Sequence, residues 1–171
     1  REHRDKVAGY LDSGKQEGAT VVADGRQHPL YEEDGFFLGV SLIDNVTKEM
    51  KCYTDEIFGP VLSVVRAKDY EEALALVNDN QYGNGVALFT RDGGAARQFE
   101  FDVKAGMVGI NVPIPVPVAY YSFCGWKDSL FGDSHMYGPE GIHFYTASKV
   151  VTTRWPDPAT SKIDLGFPQN R

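Results

Sequence analysis

Between residues 61 and 112 three short β-rich runs alternate with two helical patterns, and this alternation restricts the fold more than any other feature of the sequence. Residues 61–66 (VLSVVR) read as a strand. Asp69 then stands where a helix N-cap belongs, with Glu72 three residues on, a variant of the capping box. Ala73, Leu74, Leu76 and Val77 recur at the spacing of one buried helical stripe, and residues 80–85 (NQYGNG) end the helix. Residues 86–90 (VALFT) form a second strand, residues 94–103 a short amphipathic helix, and residues 106–112 (GMVGINV) a third strand. Strand, helix, strand, helix, strand is the order that builds a parallel sheet with right-handed crossovers, so the expected class is α/β.

The flanks are less regular. Residues 5–18 carry Val7, Tyr10 and Leu11 at helical spacing, with Gly14 weakening and Gly18 ending the pattern. Residues 19–23 (ATVVA) read as a short buried strand stopped by Asp24-Gly25, residues 27–34 as a loop, and residues 35–46 as extended. After the third strand Pro113, Pro115 and Pro117 alternate, which excludes a helix and makes a poor central strand. That stretch reads as a rigid extended loop at the sheet's edge. A Gly-rich stretch over 125–141 follows, then a long β-type run over 143–155 and a tail over 156–171 with little periodicity. The long run has two readings: an edge strand of the same domain, or a strand that leaves the domain and pairs with another subunit.

Composition bounds the partners. A chain of 171 residues fits one domain and can bury a core without a metal or disulfide staple. The net charge is −7 and the 17 Lys and Arg are scattered, which argues against nucleic-acid and anionic-membrane partners. No apolar stretch is long enough to span a bilayer, and the first residues are charged rather than signal-like. The two cysteines, Cys52 and Cys124, form no CxxC pattern, so a reducing cytoplasm is the expected location. A catalytic thiolate needs a lowered pKa and a partner base, and His3, His28, His135 and His143 form no recognisable dyad with either cysteine. His135 and His143 are too isolated to argue for a metal, so none is expected. No Gly-rich phosphate turn follows a strand anywhere. The sequence opens at Arg1 inside a helical pattern, as a fragment would.

Glu56-Ile57-Phe58-Gly59-Pro60, followed at once by an apolar strand, resembles the EIFGP motif of the aldehyde dehydrogenase superfamily. The blocks DYEEALALVND, NQYGNGVALFTRD, KAGMVGINVPIPVP, SFCGWKDSLFGD and GIHFYTASKVVTTRW each resemble a block of that superfamily, in the same order, so the likeness covers about residues 1–155. GINVPIPVP, and Cys52 just before the EIFGP segment, resemble the CoA-acylating methylmalonate-semialdehyde branch. SFCGWKDSLFGD departs from the commoner PFGGYK-x-SG form, which also favours that branch.

The resemblance implies an α/β, parallel-sheet catalytic domain of the aldehyde dehydrogenase fold over 1–140, its C-terminal portion, with an oligomerisation strand over 141–155 and a tail over 156–171. It implies an NAD-dependent enzyme that oxidises methylmalonate or malonate semialdehyde with loss of the carboxylate. The acyl group passes to coenzyme A, giving propionyl-CoA or acetyl-CoA. By similarity Glu56 holds the ribose hydroxyls next to nicotinamide, a pairing suited to a carboxylate that accepts from two hydroxyls at once. Phe58 packs against the nicotinamide ring. Asn111 lies near the pocket floor, with an Asn satisfying a turn as the equal alternative, and Phe123 with Tyr121 lines the aldehyde tunnel, Tyr120 belonging to the same wall. The family's nucleophilic Cys and general-base Glu are expected upstream of this sequence. The expected partners are a small semialdehyde and further copies of the chain, as a dimer or tetramer. Two other readings stand beside this one: a stand-alone binding or oligomerisation module on the same scaffold, and part of a hydrolytic aldehyde dehydrogenase. Loss of an upstream half would expose an apolar interface, so association is expected.

Overall fold

The computed structural model of the protein describes residues 1–157 and 159. It divides into two compact units, one of residues 1–116 and 124–131, the other of residues 117–123 and 132–171, the second described only as far as those residues allow.

The first unit opens with α1 (Glu2–Gln16). Val7, Ala8, Tyr10, Leu11 and Gly14 are its buried residues, the i, i+3, i+4, i+7 face of an amphipathic helix. Glu2 and Asp5 in its first turn and Lys15 in its last complement the helix dipole. Its end is a Schellman motif. Gly18 adopts φ +106, its N–H donates to the Lys15 carbonyl, and the Ala19 N–H donates to the Gly14 carbonyl.

The chain then forms β1 (Thr20–Ala23), two single 3-10 turns, and β2 (Ser41–Asp44), followed by the one-turn helix α2 (Lys51–Thr54) and β3 (Val61–Ser63). β1 runs antiparallel to β2, and β2 parallel to β3 with Ser41 opposite Val61. Leu11, Ile43, Val46, Met50 and Cys52 close the core between this sheet and α1. The run over 19–23, expected as a buried strand, forms β1, but only Ala19 is buried and Val22 is mainly exposed. Val21 packs against the first core, and Val22, pointing to the other face of the strand, is left exposed.

α3 (Tyr70–Asp79) begins as the sequence indicates: the Asp69 carboxylate accepts from the Glu72 N–H at 2.9 Å. Glu72 reaches back to the Lys68 N–H at 2.8 Å, one residue before the usual capping-box partner. Leu74, Leu76 and Val77 are half-buried, whereas Ala73 of the expected stripe faces solvent. β4 (Tyr82–Gly83), β5 (Gly85–Leu88), α4 (Gly93–Asp102) and β6 (Met107–Ile110) follow. β5 and β6 pair in parallel across α4, and Phe99, Val103 and Ala105 centre a second core beneath them. A short β7 (Trp126–Lys127) pairs antiparallel with β4.

Both parallel pairs are present, yet β3 and β5 do not pair with each other as one continuous sheet would require. Instead they line one cavity of about 590 Å³, with Ser63 and Val65 from the β3 side, Val86 from β5, and Leu76 and Val77 from α3. Among the described residues no strand pairs with the free edge of β3 or of β5.

In the second unit α5 (Pro139–Tyr145) starts with Pro139 in its first turn, where a missing N–H is harmless. The β-type run expected over 143–155 therefore begins with the end of a helix. Residues 146–157 form no strand, with Val150, Val151 and Trp155 exposed. β-branched residues favour an extended backbone, but a strand also needs a hydrogen-bonding partner, and these residues have none among the described ones. Of the tail over 156–171, residues 158 and 160–171 lie outside the described residues.

Candidate functional site

The turn between α2 and β3 is held at alternate points. The Asp55 carboxylate accepts from the Tyr10 hydroxyl at 2.9 Å, a bond that, with burial, pushes the Tyr10 phenol above its usual pKa. Ile57 packs against the first core. The Phe58 carbonyl lies 2.9 Å from His3 Nε2, and the Pro60 carbonyl accepts from the Ser41 N–H at 2.8 Å. Between these anchors two side chains are left over. Glu56 is exposed, and its carboxylate has no hydrogen-bond partner among the described residues. Phe58 has φ +53 and is 75% exposed.

Glu56 and Phe58 do not share a cavity. Glu56 lines one of about 380 Å³ with Asp55, Tyr82, Asn84, Asp128 and Ser129. The turn after β7 is held beside β4, where the Asp128 N–H donates to the Gln81 carbonyl and Ser129 Oγ accepts from the Gly83 N–H. Phe58 lines another of about 370 Å³ with His3, Arg4, Phe36 and Leu38. The turn thus presents a carboxylate on one side and an aromatic face on the other.

Asn111 has φ +57 and sits at the end of β6. Its side-chain oxygen accepts from the Thr90 N–H at 2.9 Å, and its amide nitrogen donates to the Thr90 carbonyl at 3.0 Å. Both polar atoms are thereby spent on extending the β5–β6 ladder by one pair. Tyr121 and Phe123 belong to the second unit. Phe123 is half-buried and stacks on Tyr137 with ring centroids 4.4 Å apart, whereas Tyr121 is exposed and leans on Tyr120 at the same centroid distance. In that unit His135 Nδ1 lies 2.9 Å from Ser122 Oγ and 3.5 Å from a Glu140 carboxylate oxygen.

Cys52 is buried in the first core, and desolvation pushes its thiol above the usual pKa, the opposite of what a nucleophile needs. Cys124 is half-buried. Among the described residues no group of three or more His, Cys, Asp or Glu side chains is placed to hold a metal ion, and no helix is long and apolar enough to cross a membrane.

Two side chains that matter to this region were not legible beforehand. His3 looked like one more charge in a polar opening, and only its i, i+4 relation to Val7 marks the face it shares. Lys127 has φ +55, and its ammonium donates to the Asn78 and Asn80 carbonyls, both at 2.9 Å, tying β7 to the end of α3. It lies in the SFCGWKDSLFGD block, where the resemblance gives Lys127 no role of its own.

The profile of the Aldehyde dehydrogenase family matches residues 1–151, and the chain belongs to that family. Malonate-semialdehyde dehydrogenase of Pseudomonas aeruginosa is 60% identical over 165 residues, covering 95% of this chain and 33% of that protein. The crystal structure of methylmalonate-semialdehyde dehydrogenase from Oceanimonas doudoroffii superposes with a TM-score of 0.87 at 56% identity, over 92% of this chain and 33% of the other. A Sinorhizobium meliloti protein assigned to the same activity and solved with NAD gives a TM-score of 0.87 at 52% identity, over 94% and 33% of the two chains. The chain therefore spans about a third of the length of the relatives it matches. The α/β architecture is that of the aldehyde dehydrogenase fold.

Proposed function

We propose that the chain is the C-terminal part of an NAD-dependent, CoA-acylating dehydrogenase of methylmalonate or malonate semialdehyde. The observation that carries this reading is the turn over 55–60, whose backbone is anchored while Glu56 and Phe58 stay free. Such a donor set fits a dinucleotide: an unengaged carboxylate suits a ribose diol, and an exposed ring suits the face of a flat heterocycle. The chemistry NAD supplies when bound is acceptance of a hydride from the aldehyde carbon. In this reading Glu56 holds the ribose hydroxyls, and Phe58 limits the swing of the nicotinamide, a contribution to rate through positioning. Tyr121, Phe123 and Asn111 line the aldehyde path, Asn111 through the backbone it fixes. The thiol nucleophile and the base come from polypeptide outside these residues, which agrees with Cys52 being buried as a neutral thiol. The acyl group passes to coenzyme A. Residues 141–155 pair with a second copy of the chain in a cytoplasmic homo-oligomer, their exposed Val150, Val151 and Trp155 being the surface available for it.

The test is to incubate the purified chain with malonate semialdehyde, NAD and coenzyme A, and to follow NADH. The expected result is no turnover by the chain alone and CoA-dependent turnover by a longer gene product that contains it. Turnover by the chain itself would overturn the placement of the nucleophile. Turnover by the longer protein without coenzyme A would assign it to the hydrolytic dehydrogenases.

A further inference from the structure

The first two turns of α1 grip the Phe58 turn at two points on one helix face. His3 and Val7 are four residues apart, so their side chains lie one above the other. His3 Nε2 stands 2.9 Å from the Phe58 carbonyl oxygen. A carbonyl only accepts, so the ring nitrogen is the donor. One helical turn on, Val7 is 2% exposed and packs on Gly59 so closely that a Cβ there would sit 2.4 Å from Val7 Cγ1. The residue these two contacts hold has an uncommon backbone. Phe58 lies at φ +53, a left-handed conformation that a bulky side chain adopts only where its surroundings over-determine it. Its ring is 75% exposed and gains little from burial that would offset the strain.

We infer that His3 and Val7 are positioning residues for Phe58, fixing that residue in the left-handed form and so aiming the ring at the nicotinamide. The inference rests on the proposed reading of Phe58 as a cofactor contact. His3 acts through the Phe58 carbonyl and Val7 through the Gly59 backbone; neither role requires contact with the cofactor. A side chain as long as Phe, left on a free turn, would sample several directions. Two fixed points directly after its Cα, with Ile57 packed on the core before it, remove most of that freedom before the cofactor arrives.

The sequence supplies a direct probe, because Phe-Gly pairs occur only at 58–59 and 131–132. Labelling Phe carbonyls with carbon-13 and Gly amides with nitrogen-15 leaves two correlated signals, one reporting the clamp and the other serving as control. His3 is exposed, so His3→Ala removes no core contact. It is expected to shift the Gly59 signal and leave that of Gly132 in place, and His3→Gln, which keeps a donor at similar reach, to restore it. In the longer dehydrogenase that contains this chain, His3→Ala is expected to raise the NAD dissociation constant about three- to ten-fold, the range for one lost hydrogen bond, with recovery in His3→Gln. Phe58→Ala separates the two ideas. If it weakens NAD binding while His3→Ala changes neither the Gly59 signal nor the affinity, the positioning role is overturned and the cofactor contact stands. If His3→Ala shifts the signal but not the affinity, the positioning role is likewise overturned. If Phe58→Ala leaves NAD binding unchanged, the cofactor reading fails and the positioning role falls with it.

Discussion

Gly59→Ala tests the packing of this turn through stability alone. Gly59 does not occupy the left-handed region, and at an unstrained open site such a change usually stabilises by about 0.4–1 kcal/mol. Here the added Cβ would meet Val7 Cγ1 at 2.4 Å, Cγ2 at 2.9 Å and Cβ at 3.2 Å. Carbon atoms pack favourably at about 3.5–4.0 Å, so roughly 1 Å of overlap must be relieved by moving a buried helix or the turn. Overpacking of this kind costs about 1–3 kcal/mol. Val7→Ala on its own removes two buried methyl groups, a loss of about 2 kcal/mol once a partial cavity is included. Independent effects would sum to about 3–5 kcal/mol. Val7→Ala, however, deletes both of the closest atoms, so in its presence Gly59→Ala should cost under about 1 kcal/mol. The cycle therefore predicts a favourable coupling of about 1–2 kcal/mol, read from urea denaturation of the four proteins followed by circular dichroism. A neutral or stabilising Gly59→Ala, or strictly additive losses, would refute the contact and remove one of the two supports on Phe58.

Ser41 is fully buried and its hydroxyl accepts from the Gly25 N–H at 2.9 Å, so Ser41→Ala should destabilise by about 1–3 kcal/mol in the same denaturation assay; Ser41→Cys would recover only part of it. With a thiol-specific reagent near neutral pH, Cys124 should be labelled first and Cys52 only as the chain unfolds; equal rates would contradict the burial that raises the Cys52 pKa. Hydrogen bonding from Arg26 holds the Asp24 carboxyl below its usual range, so its stabilising contribution is complete above an unfolded pKa of about 3.9 and is lost as pH falls through the lower folded value. The Asp24→Asn variant should lack that acid-limb component, and a parallel pH profile would refute the assignment. Val40, Leu62 and Phe89 are mainly exposed, so light scattering of the purified chain should show association, and a clean monomer at micromolar concentration would argue against it.

What the sequence makes legible here is local. Asp69 and Glu72 announce α3 because capping is settled within four residues, and the Schellman turn at Gly18 is readable for the same reason. The β5–α4–β6 unit follows from apolar periodicity plus the crossover rule. The Phe58 turn is legible by resemblance, but its geometry is not. Glu56 and Phe58 line different cavities, Phe58 has a positive φ, and its carbonyl meets His3, fifty-five residues away. Lys127 escapes for a related reason. Nothing near it in sequence announces that the carbonyls ending α3 need a cation.

Strand pairing shows the same limit more sharply. VVTTRW and VLSVVR have equally good β composition, yet residues 61–63 form a strand beside β2 while residues 150–155 form none. Composition selects an extended backbone, but only a neighbour's unpaired N–H and C=O groups turn it into a ladder. The same argument applies to β3 and β5, which stand in different sheets although residues near both line one cavity. The turn at Phe58 depends on no such neighbour. Its supports, His3, Tyr10, Ser41 and the core beneath Ile57, all lie within the first unit.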